Sequence, residues 1–314
     1  MKYLVTGGGG FIGSNIVMHL LDNGATVRVL DNFSSGKREN LLPYAEHKKF
    51  ELFEGDMRSF HIVRDAVKGV DFILHQGALP SVPRSINDPL TSNDVNILGT
   101  LNILEAAREF GVKRVIYASS SSVFGNSPTL PKVETMPSAP LSPYALTKYT
   151  GEQYCRIFTR IYDLETVSLR YFNVFGPNQD PTSQYSAVIP KFIRAILEDR
   201  EPIIYGDGSQ SRDFTYVMNN VEANLLACTT KDIAGEVFNI ACGERFTLID
   251  LVKEINTILN KNVEPRFEPV RTGDVKHSLA DISKAQKQLG YKVKVGFKEG
   301  LERTVEHIVS KIKD

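Results

Sequence analysis

Neither sign of charge is in excess in this 314-residue chain, where 37 Lys and Arg are balanced by 37 Asp and Glu. Such a chain has no global field to draw in nucleic acid or an anionic membrane, although a local basic site for a small anion stays open. Cysteine is scarce: Cys155, Cys228 and Cys242 form an odd set without metal-ligand spacing. They read as buried or free thiols of a reducing compartment, with no metal implied. No apolar run approaches the roughly 18 residues of a membrane span. The opening Met1-Lys2-Tyr3-Leu4-Val5-Thr6 runs into glycines rather than into the apolar core of a secretory leader. A soluble, cytoplasmic protein is expected. No internal repeat is visible, and the length suits one large α/β unit or two domains with a substantial core.

What the chain does have begins at its first strand. Tyr3-Leu4-Val5 breaks into Gly7-Gly8-Gly9-Gly10-Phe11-Ile12-Gly13 ahead of an apolar helix reaching Leu21. Strand, glycine turn and helix are the setting a dinucleotide fingerprint requires. Gly7, Gly10 and Gly13 recur at every third position, where missing side chains permit the turn, the approach of backbone N–H groups to a pyrophosphate, and close helix–strand packing. Phe11 and Ile12 fall inside the same turn. The next strand, Thr26–Leu30, ends in Asp31, followed by Asn32. A carboxylate there accepts hydrogen bonds from an adenosine ribose and repels a 2′-phosphate, so NAD is expected rather than NADP. Lys37 and Arg38 are the cations that an NADP reading would recruit.

Two further strands, Phe50–Phe53 and Asp71–His75, lead into Gly55-Asp56-Met57-Arg58 and Gln76-Gly77-Ala78. Asp56, Met57, Gln76 and Ala78 therefore sit where strand ends line a cofactor crevice; Asp56 serves either an adenine amine or a helix N-terminus. His75 has no second ligand nearby in sequence and reads as a packed strand-end residue. A long helix is expected from Asn87 to Phe110, then a strand at Arg114–Ala118, and another at Thr166–Tyr171. This alternation predicts a doubly wound parallel α/β sheet of the Rossmann kind. The expected division is a cofactor domain over 1–176 and a smaller α/β substrate domain over 177–314, with a segment near 211–243 returning to the first. In the second part, Arg212–Val217 and Val237–Ile240 are expected as strands. Helices are expected near Ile189–Asp199, Leu248–Leu259, Ile282–Leu289 and Leu301–Ile312.

Chemistry concentrates at two places. Ser119-Ser120-Ser121-Ser122 stands at the mouth of the fifth strand, its hydroxyls aimed into the crevice. Ser142-Pro143-Tyr144-Ala145-Leu146-Thr147-Lys148 opens a helix, so Tyr144 and Lys148 share one face at i and i+4. A fixed positive charge there favours the phenolate and is expected to lower the Tyr144 pKa toward neutrality. An isolated pair of this kind is more often an ordinary amphipathic helix; a cofactor loop and a serine cluster change that.

Serines at a strand end, the Tyr-x-x-x-Lys helix twenty-four residues after Ser120, and the glycine fingerprint together resemble the extended short-chain dehydrogenase/reductase family over essentially the whole chain. Within it, the segments RYFNVFGPNQDP, AVIPKF, SVPRSINDP and GDVKHSLADISKA resemble nucleotide-sugar 4-epimerases acting on N-acetylated UDP-hexosamines. Counted from Gly125, the family's catalytic serine matches Ser120, with Ser121 and Ser122 as substrate contacts; Phe124 stands where the family often has Tyr. The resemblance implies Tyr144 as base, Lys148 as partner of tyrosine and nicotinamide ribose, and NAD as a retained cofactor. It assigns Asn173, Arg212 and Arg271 to the diphosphate, Tyr205 to uracil and Asp274 to the uridine ribose. Ser278 takes a place where a bulky residue excludes a 2-acetamido group, and its small size implies acceptance of UDP-N-acetylglucosamine and UDP-N-acetylgalactosamine, with UDP-glucose and UDP-galactose left open. Dimerisation through the two long helices is a further family expectation.

Three other readings compete. A 4,6-dehydratase needs an acid directly after the catalytic hydroxyl, where this chain has Ser121 and Ser122. A UDP-glucuronate epimerase or decarboxylase would use a cation such as Arg84 to meet the carboxylate. A non-catalytic NAD-sensing regulator would be expected to lose Tyr144 or Lys148, and this chain keeps both.

Overall fold

The computed structural model describes residues 1–180, 187–270 and 276–313. In chain order the first half holds β1 (Lys2–Thr6), α1 (Phe11–Asp22), β2 (Thr26–Asp31), β3 (Phe50–Glu54), α2 (Phe60–Val67), β4 (Phe72–His75), α3 (Val82–Asn87), α4 (Pro89–Asn93), α5 (Gly99–Glu109), β5 (Arg114–Ser120), α6 (Pro143–Tyr162) and β6 (Thr166–Tyr171). The second half holds β7 (Val174–Phe175), α7 (Val188–Leu197), β8 (Ile203–Tyr205), β9 (Ser211–Arg212), β10 (Thr215–Tyr216), α8 (Val217–Thr229), β11 (Val237–Ile240), β12 (Phe246–Thr247), α9 (Leu248–Leu259), β13 (Arg266–Glu268) and α10 (Phe297–Lys313).

Seven strands form one parallel sheet in the order β3-β2-β1-β4-β5-β6-β11. Strands β4, β6 and β11 are buried along their whole length, as expected of parallel strands covered on both faces. The edge strand β3 is partly exposed. The order reverses between β1 and β4, and a crevice opens at their carboxyl ends, where a doubly wound sheet binds its ligand. The sheet is thus the Rossmann arrangement expected from the alternation of elements. Strand β11 pairs with β6, and side chains of α8 join the core beneath the sheet. A separate cluster built from Phe175, Ile189, Phe192, Phe214, Phe297 and Leu301 underlies the carboxyl-terminal elements.

The helix expected from Asn87 to Phe110 is present from Pro89 to Glu109, with a π-type turn inside it. Pro89 has no N–H to donate, and Asp88 before it is extended (φ −139°) and accepts a bond from Thr91 N at 3.0 Å, so α3 ends and α4 begins there. A π-turn over Asp94–Leu98 then joins α4 to α5. This turn carries Asn96, whose Oδ1 accepts from Leu79 N (2.7 Å) and whose amide donates to Thr147 Oγ1 (3.1 Å). The loop after β4 is thereby tied to α6. The strand expected over Arg212–Val217 is broken, into β9 and β10, because Asp213 turns into the interior between them. Its carboxylate accepts from the N–H groups of Cys242 (2.9 Å), Gly243 (3.1 Å) and Ala280 (3.1 Å). The helix expected near Ile282–Leu289 is present from Ser283, of π type over Ala285–Leu289.

Candidate active site

The crevice has a volume of about 440 Å³, and its wall is made by the loops after β1, β2, β3 and β4 together with the start of α6. Gly7 takes a left-handed conformation (φ +66°), and a Cβ on it would lie 2.7 Å from Gly77 Cα. A Cβ on Gly13 would lie 2.1 Å from Gly7 O, so α1 can approach the turn only without a side chain there. Gly10 is the N-cap of α1 and offers no side-chain acceptor, leaving first-turn N–H groups for an anion at the positive end of the helix. Gly7, Gly10, Phe11, Ile12 and Gly13 all line the crevice.

Asp31 follows at the end of β2. Its two oxygens accept from Gly9 N (2.8 Å) and Phe33 N (2.7 Å), which fixes the carboxylate while leaving lone pairs for a diol. Burial raises its pKa, the backbone bonds opposing the shift. Lys37 pairs with Asp180 at 3.0 Å, and Arg38 pairs with Glu54 and lies 4.2 Å above the Phe33 ring. Both cations near Asp31 therefore have protein partners, which agrees with a dinucleotide lacking a 2′-phosphate.

Asn32, Asp56, Met57, Gln76 and Ala78 line the same wall. Asp56 accepts from Asn32 (2.9 Å) and from the Arg58 guanidinium (2.7 Å), which holds its carboxyl below the usual range. The N-cap of α2 is Ser59. Gln76 is held by Asn224 (3.0 Å) and Tyr171 (3.2 Å), and Asn224 also donates to the Tyr171 hydroxyl at 2.7 Å. Tyr171 lines the crevice and was not singled out from sequence. Its signal was its position, the last residue of a buried strand. His75 is sealed between Thr6 Oγ1 (2.7 Å) and Thr100 Oγ1 (3.0 Å), and burial pushes it down to about 3, so it is a neutral packed residue.

The serine run separates into distinct tasks. Ser119 is buried and donates to Glu152 Oε1 at 2.5 Å. The Ser120 hydroxyl lies near enough to Tyr144 to lower its pKa. Ser122 directs both its N–H (3.2 Å) and its hydroxyl (2.9 Å) at Ser120 Oγ. Glu152 lies one helical turn beyond Lys148 and two beyond Tyr144 on the same face of α6, a spacing legible in the sequence but not used there. It forms a sealed ion pair with Arg170, both bonds at 2.8 Å.

Helix α6 starts where expected, with Ser142 accepting from Ala145 N (3.1 Å) and Pro143 in the first turn. Ser85 Oγ additionally accepts from Tyr144 N at 3.0 Å, anchoring the tyrosine to α3. Tyr144 and Lys148 both line the crevice. The expected depression of the Tyr144 pKa by Lys148 is overturned. Burial raises it, and the nearby Ser120 hydroxyl opposes the rise. Lys148 donates to Ala118 O at 2.8 Å and stands 6.0 Å from the Tyr144 ring centre, and burial brings its own pKa down to about 8.

Asn173 (φ +36°) and Ser278, a hundred residues apart, meet at 3.3 Å, and Asn173 also donates to Asp213 O at 3.2 Å. Arg212 on β9 donates to Ser211 O (3.0 Å) and Lys276 O (3.1 Å), while Tyr205 ends β8 with its carbonyl held by Gln210 (2.6 Å). Arg271 and Asp274 lie outside the described residues.

Comparison with known proteins agrees with this geometry. A model of the NAD dependent epimerase/dehydratase family matches residues 3–241. A putative UDP-glucose 4-epimerase of Methanocaldococcus jannaschii is 39% identical over 303 residues, covering 96% of each chain. The structure of a UDP-N-acetylglucosamine 4-epimerase from Methanobrevibacter ruminantium, complexed with UDP-N-acetylmuramic acid, is 42% identical, covers 99% of this chain and 98% of its own, and superposes with a TM-score of 0.95. A Bacillus cereus UDP-glucuronic acid 4-epimerase holding UDP-glucuronic acid and NAD is 32% identical over 99% of this chain and all of its own, with a TM-score of 0.92. The chain belongs to the NAD-dependent epimerase/dehydratase family, within the extended short-chain dehydrogenase/reductases, and NAD is the cofactor of its crevice.

Proposed function

We propose that this protein inverts carbon 4 of a UDP-hexose through a 4-keto intermediate, with UDP-N-acetylglucosamine and UDP-N-acetylgalactosamine as its substrates and UDP-glucose and UDP-galactose as further candidates. The observation that carries the reading is the pair Tyr144 and Lys148 lining the cofactor crevice, the Lys148 ammonium 6.0 Å from the centre of the phenol ring. NAD held by the glycine turn and Asp31 would supply the hydride acceptor and donor for carbon 4. Tyr144 takes the proton of the 4-hydroxyl and gives it back on re-reduction; Ser120 donates its hydroxyl proton to the reacting oxygen. Lys148 supplies positive charge and a donor toward the nicotinamide ribose. Ser121 and Ser122 stand where a dehydratase would need an acid.

Asn173, Tyr205 and Arg212 form the nucleotide end of the substrate site in this reading, with Arg271 and Asp274. The small Ser278 beside Asn173 leaves room for a 2-acetamido group. Arg84 lines the crevice near Ser81 and supports a second reading, a UDP-glucuronate epimerase whose substrate carboxylate it meets. A homodimer is further proposed: Leu90 (78% exposed), Leu146 (52%) and Ile161 (63%) present apolar surface on α4 and α6. The three unpaired cysteines suit a cytoplasmic setting. The deciding experiment incubates the protein with UDP-N-acetylglucosamine, UDP-glucose and UDP-glucuronate separately and identifies the products. Epimers at carbon 4 are expected, from the acetylated sugar first. Conversion of none, or loss of water or carbon dioxide instead, would overturn the reading.

A further inference from the structure

We infer that Ser122 is a positioning residue that fixes the direction of the Ser120 proton, rather than a contact to the sugar. The inference rests on the roles given above to Ser120 and Tyr144. A serine hydroxyl carries one donor and two acceptor lone pairs. At Ser120 both acceptor sites are taken by one residue, Ser122, through its N–H at 3.2 Å and its hydroxyl at 2.9 Å. The Ser120 proton is then the one bond that Ser120 still has to give, and it points away from Ser122. A one-way arrangement results, in which Ser122 donates twice to Ser120 and Ser120 is left to donate onward.

The turn that carries Ser122 is built to hold still. Its carbonyl accepts from Gly125 N at 3.1 Å, and Gly125 takes a left-handed φ of +60° where a Cβ would lie 2.0 Å from Ala139 O. Ala139 N in turn bonds Val123 O at 2.9 Å. Phe124 is sealed against Phe172, with the Arg170 guanidinium 4.7 Å above its ring. Ser120, at the end of β5, is flanked by Ser119, which is locked to Glu152. Within this frame the Ser122 hydroxyl controls whether the Ser120 proton is held in one direction about the Cβ–Oγ bond or turns freely.

The test uses the full-length, NAD-loaded protein and whichever of UDP-N-acetylglucosamine and UDP-glucose it converts faster. Four variants are compared with wild type: Ser122→Ala, Ser122→Thr, Ser120→Ala and the double Ser120→Ala/Ser122→Ala. Loss of one oriented hydrogen bond should lower the kcat of Ser122→Ala about five- to tenfold, with KM and NAD content near wild type. Ser122→Thr, which keeps the hydroxyl, should return kcat to within about twofold. In the Ser120→Ala background the second substitution should cost nothing more, because the residue acts only through Ser120. An equal loss in both backgrounds, a rise in KM with kcat unchanged, or wild-type behaviour of Ser122→Ala would each overturn the inference. Full activity of Ser120→Ala would instead refute the catalytic reading on which it rests.

Discussion

Replacing Glu152 by Gln tests the buried frame behind the site. The Glu152 side chain has no exposure and that of Arg170 has 3%, and the carboxylate receives two bonds from the guanidinium at 2.8 Å and one from Ser119 at 2.5 Å. Glutamine keeps the shape and one acceptor but loses the charge, leaving the guanidinium beneath the sheet without its counterion. Breaking a buried pair from one side costs about 3–5 kcal/mol, much of it the penalty of the charge left behind. The remaining acceptors near Arg170, Glu134 O and Ser138 Oγ, are each at 3.5 Å and offset little of that. We expect about 3 kcal/mol of destabilisation for Glu152→Gln in urea denaturation at a fixed, saturating NAD concentration. Arg170→Met added to it should recover part of this, because the uncompensated charge is then gone, at the cost of the cation–π contact with Phe124. Turnover should fall as well, since Ser119 adjoins Ser120. A Glu152→Gln variant within about 0.5 kcal/mol of wild type, or a double variant as unstable as the sum of the two singles, would refute this account.

Tyr144→Phe should lower turnover by about 10²- to 10⁴-fold while retaining NAD, measured as cofactor released on denaturation; near-normal turnover would remove Tyr144 as base. Ser278→Tyr should reduce conversion of UDP-N-acetylglucosamine by tenfold or more, on the order of one misfitted group, while sparing any conversion of UDP-glucose. An unchanged ratio of the two rates would show that Ser278 does not set the choice. Asp213, sealed by burial and pushed up to about 6, binds its proton more tightly in the folded than in the unfolded chain. Its contribution to stability is therefore full at low pH and is lost as pH rises from about 4, the ordinary carboxyl value, through 6. The difference in denaturation midpoint between wild type and Asp213→Asn, followed from pH 4 to 7, should carry this slope; a flat difference would count against it.

Much of the site was legible because its parts are local. The glycine turn, the Pro143 start of α6 and the shared face of Tyr144 and Lys148 depend on backbone sterics and helical spacing, which neighbours in sequence dictate. The alternation of strand and helix fixed the parallel sheet and placed the crevice at the ends of β1 and β4. The start of the long helix at Pro89 was readable too, from Asp88-Pro89, since the missing N–H acts on its own turn.

Tertiary contact decided the rest. Four adjacent serines are chemically alike in sequence, and only the fold pairs Ser119 with Glu152 and turns Ser122 back onto Ser120, with its carbonyl held by Gly125. The Tyr144 pKa moved opposite to expectation because desolvation by packed segments outweighs a charge one helical turn away. Gln76, Tyr171 and Asn224 come together from three distant stretches, as do Asn173, Asp213 and Ser278. Spacing along the chain sets which side chains share a face; burial and the direction of a proton are set by atoms that only the folded chain brings near.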